Sequence, residues 1–134
     1  MMKKFVSQLK KKNYAQGEKL ESEALIVAQK LLVNMGLDFI PQSYANFMKY
    51  FNGIKGNGSY LFGATVDDDL DIADKNLQMQ KPFRTIVLGY NEFDLLVYNY
   101  DVKLYQIIDR DDFKVLDCYK DNEISLALNH IFNV

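Results

Sequence analysis

Apolar positions recur at helical spacing through the first half of the chain and in short β-type runs through most of the second. Phe5, Val6 and Leu9 stand among lysines in Met2 to Lys12, which predicts a short amphipathic helix that docks weakly or frays. Leu20, Ala24, Val27, Ala28, Leu31 and Met35 recur every three to four residues before Gly36, predicting a helix from about Lys19 to Met35. After a brief connector, Pro41 suits a first helical position, and Tyr44, Phe47, Met48 and Phe51 share one face of the helix it opens. Asn52-Gly53 is the expected stop, because both residues tolerate the left-handed conformation common at helix ends. Ser59 to Ala64, bounded by glycines, reads as a strand.

Between Val66 and Gln80 the pattern becomes an acidic loop leading into a short helix, which Lys81-Pro82 ends. Arg84 to Tyr90, Phe93 to Asn99, Lys103 to Ile108 and Lys114 to Tyr119 are β-branched and aromatic runs joined by short polar turns, so they are expected to pair antiparallel. In the second run Phe93, Leu95 and Val97 take one face while Leu96 and Tyr98 load the other, which predicts a sheet covered partly on both sides. Asp121 and Glu123 open a final helix with Ile124, Leu128 and Ile131 as its stripe. The expected fold is a single α+β domain over residues 1–134. Its N-terminal helices and C-terminal helix pack on a mostly antiparallel sheet of about five strands, and residues 1–18 form a basic helical arm.

Composition narrows the class without changing this picture. Hydrophobic residues make up 49% and charged residues 25% of 134 residues, with nine Phe, nine Tyr and no Trp, which is globular composition with an aromatic core. The net charge of −2 is unevenly spread: residues 1–20 hold six lysines against Glu18, a local +5 that leaves −7 for the remainder. The arm reads as a solvated helical face, and no direct nucleic-acid contact is expected. Phe5-Val6 is cut off by Ser7-Gln8 before an apolar signal segment develops, and no apolar run approaches a membrane span. Cys118 is the only cysteine, which excludes an intrachain disulfide and fits a reducing cytoplasm.

Candidate chemistry is sparse. Taking Asp67, Asp69 and Asp71 as the first, third and fifth ligands of a calcium loop would require glycine at position 72 and glutamate at position 78. Ile72 and Gln78 stand there, so no metal is expected. Cys118 and His130, the only histidine, carry no nucleophile signature; the first reads as a packed strand residue and the second as a partner for terminal carbonyls. Gly53, Gly56, Gly58 and Gly63 follow a helix and precede a strand, the reverse of a phosphate cradle. No catalytic residue and no cofactor is therefore expected. The run Asp67, Asp68, Asp69, Asp71 and Asp74 remains as a surface for docking a basic protein partner.

Ile40-Pro41-x-x-Tyr44-x-x-Phe47-Met48-x-x-x-Asn52-Gly53 followed by Leu61-Phe62-Gly63 resembles the SUKH superfamily, which includes the yeast Smi and Knr cell-wall regulators and many bacterial proteins. Val87-Leu88-Gly89, Phe93 to Asn99 and Tyr105 to Arg110 look like the family's later strands, so the similarity runs from about Lys19 to Tyr119. Ile40 replaces the usual leucine, and the tryptophans frequent in relatives are missing. The resemblance implies helices on an antiparallel sheet, with Pro41, Tyr44, Phe47, Asn52, Gly53, Phe62, Gly63 and Gly89 as signature positions. It also implies a non-enzymatic binding role: an immunity protein that neutralises a cognate toxin, often a nuclease, in bacterial contact-dependent competition. The alternative it implies is a regulatory scaffold with no toxin partner.

Overall fold

Among the described residues, each strand after the first pairs antiparallel with the one before it, so the sheet is a meander with no crossover. The computed structural model describes residues 2–64 and 69–133. Its elements in order are α1 (Met2–Lys11), β1 (Ala15–Gln16), α2 (Ser22–Asn34), α3 (Gln42–Met48), β2 (Ile54–Gly56), β3 (Ser59–Leu61), α4 (Ile72–Gln78), β4 (Thr85–Tyr90), β5 (Asp94–Asn99), β6 (Leu104–Asp109), β7 (Val115–Tyr119) and α5 (Ile124–Phe132). A single 3-10 turn, Asp121–Glu123, leads into α5. The seven strands are ordered β1 to β7 across the sheet. The α+β expectation holds, with two strands more than the five expected: β1 and β2 are two and three residues long, too short to show an alternating pattern.

Register assigns the faces. Asp94 meets His130 of α5, so Asp94, Leu96 and Tyr98 of β5 point toward α5 while Leu95, Val97 and Asn99 point away. Leu95, Leu96 and Val97 are all buried, as the apolar load on both faces predicted. On the second face Lys75 of α4 reaches the ring of Tyr90, which pairs opposite Leu95. Hence α5 and α4 sandwich the middle of the sheet.

The Pro41 to Gly63 stretch fastens the helices to this sheet. Pro41 immediately precedes the first helical residue, and Tyr44 and Phe47 are fully buried on α3. The Tyr44 hydroxyl lies 2.6 Å from the Phe62 carbonyl and 3.0 Å from that of Leu88, tying α3 to the β3–β4 edge. The helix ends at Met48, before the expected Asn52-Gly53 stop, and a turn over Lys49 to Phe51 follows. Asn52 is instead a buried cross-link. Its amide donates to the carbonyls of Glu18 and Ala64 and accepts from the Ala64 N–H. Gly53 adopts φ +87°, where glycine is favoured. A Cβ on Gly63 would lie 2.3 Å from the Asn52 carbonyl carbon, and one on Gly89 would lie 2.3 Å from the Tyr60 carbonyl oxygen. These two glycines are therefore close-approach positions.

Two helical expectations need correction. Phe5, Val6 and Leu9 are buried and α1 contacts α5, so the basic arm is docked rather than frayed; only its lysine face is solvated. On α2 the buried residues are Ala28 and Leu32, while Val27 and Leu31 of the expected stripe are exposed. An apolar helix with a wide hydrophobic arc does not reveal from periodicity which part of the arc meets the core.

Candidate protein-docking face

Pairing aligns Lys55, Tyr60, Tyr90, Leu95 and Ile108 as one transverse row on the α4 side of the sheet. Tyr60 and Tyr90 stack with ring centroids 4.6 Å apart and planes 16° from parallel. The Arg110 guanidinium carbon lies 4.8 Å from the Tyr90 ring centre, and Nη1 donates to the Asn91 carbonyl at 2.8 Å. That hydrogen bond sets the guanidinium in a stacking position that lysine's point charge would not reproduce. Lys75 Nζ lies 5.9 Å from the same ring, and Lys55 Nζ meets Asp69 at 3.1 Å. Burial, then Tyr60, push the Tyr90 hydroxyl above its usual range, with Asp69 adding to the rise and Arg110 and Lys55 opposing it. Both signs of charge thus act on one tyrosine.

Beside this stack an open cleft of about 280 Å³ is lined by Met79, Gln80, Leu95, Arg110, Asp111 and Phe113. Arg110 forms the shared wall. The result is an ordered aromatic and cationic platform next to a notch, a surface whose side chains are already held before any partner arrives.

The described aspartates of the acidic run do not form one surface. Asp69 is exposed and bonded to Lys55. Asp71 is buried, and its carboxylate caps α4 by accepting the Asp74 N–H at 3.0 Å. Asp74 is half-buried in the first turn of α4, where a carboxylate complements the helix N-terminus. Asp67 and Asp68 lie outside the described residues. Asn76, which the sequence did not single out, binds Ile72 O and Val87 O and accepts from Val87 N, locking α4 onto β4 beside its bulge.

Cys118 and His130 do not meet as nucleophile and base. Cys118 pairs opposite Gln106, on the sheet face away from α5, whereas His130 projects from α5 to Asp94 with Nε2 3.3 Å from Oδ2. Cys118 is exposed, not packed, because β7 is the last strand and α5 covers only one of its faces. His130 bonds a β5 carboxylate rather than the terminal carbonyls expected of it. Asp94 and His130 line a wide, open depression of about 600 Å³ with Asn91, Tyr119, Asn129 and Asn133. Burial, and then the Asp117 carboxylate that accepts from its hydroxyl at 2.9 Å, push Tyr119 up to about 12. Among the described residues, no group of three or more His, Cys, Asp and Glu side chains is arranged to hold a metal ion. Nor is any helix among them long and apolar enough to cross a membrane.

Comparison with protein-family models and with curated proteins finds no match for this chain.

Tyr60, Tyr90 and Arg110 were not identifiable as a unit from sequence. They lie on three separate segments, and only strand register brings them together. The available signal was tyrosine in strands flanked by basic residues, which describes many packed sheets equally well.

Proposed function

We propose that this chain is a non-catalytic protein-binding module, acting in the cytoplasm as an immunity protein that neutralises a cognate toxin domain by covering it. The observation that carries the binding reading is the preassembled Tyr60–Tyr90–Arg110 stack beside the Arg110 cleft. Tyrosine and arginine are enriched where interfaces concentrate their binding energy, and side chains fixed in advance lose less entropy on association. The immunity reading is supported by the similarity of Ile40 to Gly63 to the SUKH pattern. Asp69, with Asp67 and Asp68 beside it in sequence, supplies the carboxylates that favour a basic partner such as a nuclease domain.

The test is co-expression with a candidate toxin domain, such as one from an adjacent polymorphic toxin gene, followed by binding measurements on the purified pair. Wild-type chain should restore growth. Tyr60→Ala and Arg110→Ala should each weaken binding by roughly tenfold or more while leaving the circular dichroism spectrum unchanged. Replacing Asp67, Asp68 and Asp69 by asparagine should slow association and flatten its salt dependence. Undiminished affinity in the Tyr60 and Arg110 variants would remove the docking face from consideration. Failure of the wild-type chain to restore growth or bind the toxin overturns the immunity role and favours the scaffold alternative.

A further inference from the structure

Helix α2 is apolar around most of its circumference, yet its two buried residues are Ala28 and Leu32. Four aliphatic side chains are left exposed on its outer side: Ile26 at 53%, Val27 at 46%, Leu31 at 47% and Val33 at 58%. Scattered exposed aliphatics need no explanation, but four on one 13-residue helix lie in two rows that run two turns along its outer side. Ile26 and Val33 form one of these flanks, and Val27 and Leu31 form the other.

Between the flanks run the exposed charges Glu23 and Lys30. They are seven residues apart, two helical turns along the same face, and of opposite sign. This arrangement is complementary to itself in one orientation only. When two copies of α2 pack antiparallel about a two-fold axis, the register that sets Glu23 opposite the partner's Lys30 also sets Lys30 opposite the partner's Glu23. The same register brings Ile26 and Val27 of both copies to the axis. A parallel pairing in register would place like charges together. An open groove of about 300 Å³, lined by Gln29, Lys30, Val33 and Asn34, adds relief along the Val33 flank.

We infer that α2 is a self-association face, and that its occupant is a second copy of this chain packed antiparallel through Ile26, Val27, Leu31 and Val33, with two symmetric Glu23–Lys30 pairs. A two-fold contact uses the same patch on both partners, which is the condition this charge pattern meets. The inference does not depend on the Tyr60–Tyr90–Arg110 face or on the identity of a toxin.

Sedimentation equilibrium of the full chain across a concentration series tests it. Wild type should show a reversible monomer–dimer equilibrium. Lys30→Glu and Glu23→Lys, both surface changes, should each weaken it by about tenfold through like-charge contacts at the seam. An equimolar mixture of those two single variants should restore dimerisation, because each then supplies the charges the other lacks. So should the double variant Glu23→Lys with Lys30→Glu. Ile26→Asp should abolish dimerisation while retaining the wild-type circular dichroism spectrum. A wild-type chain monomeric at every concentration overturns the inference. So does a dimer indifferent to Lys30→Glu, or a mixture of the two single variants that stays monomeric.

Discussion

Asn52 is a buried residue whose three hydrogen bonds join the segment after α3 to Glu18 and Ala64. A buried carbonyl or amide left without a partner costs about 1–3 kcal/mol, and an ordinary hydrogen bond contributes about 1 kcal/mol. Asn52→Ala should therefore lower the unfolding free energy by roughly 2–4 kcal/mol, read from urea denaturation; a loss below 1 kcal/mol would show that water replaces the amide. Tyrosine is the other residue type that decides behaviour here. Burial is the main cause that raises Tyr44, Tyr100, Tyr105 and Tyr119 above their ordinary 10.0, the last to about 12. The folded state then holds phenolic protons that the unfolded chain has released, so stability is insensitive to these groups below pH 10 and is lost as pH rises from 10 toward 12 and beyond. Denaturation midpoints measured from pH 8 upward should begin to fall near 10, the ordinary tyrosine value, and the share of tyrosinate absorbance that comes from these four residues should appear together with unfolding.

Among the elements, α1 is the one whose role differs most from its sequence. Its lysines describe a solvated arm, whereas Phe5 and Leu9 insert into the core and Phe5 packs 6.1 Å from the Phe47 ring. Leu9→Ala should cost about 2–5 kcal/mol, as for other buried leucines, visible as a lowered thermal midpoint. Replacing Lys10, Lys11 and Lys12 by glutamine should change the midpoint by little, since exposed positions away from packing rarely exceed about 0.5 kcal/mol. An unchanged midpoint in Leu9→Ala would return α1 to the status of a loose arm. The strands β4 to β7 were legible because alternation and turn residues mark them; their observed bounds lie within a residue of those read from sequence. The acidic run was legible as charge, but capping consumed Asp71, and that depends on where α4 begins.

At the scale of the whole molecule, one hydrophobic cluster spans α1, α2, α3, the sheet and α5. A single shared core predicts one cooperative urea transition, with tyrosine fluorescence and far-ultraviolet circular dichroism coinciding; separated transitions would divide the domain. What the sequence by itself determined is the local and periodic part: α+β class, antiparallel strands from Thr85 onward, and the aromatic core face of α3. Those properties follow from spacing, turn chemistry and backbone sterics, all of which act over a few residues. Only the tertiary structure decided which face of α2 meets the core, which aspartates stay on the surface, on which sides of the sheet Cys118 and His130 lie, and that Lys55, Tyr60, Tyr90 and Arg110 converge. Each of these depends on register and on contacts between residues distant in sequence, where a shift of one position moves a side chain to the opposite face.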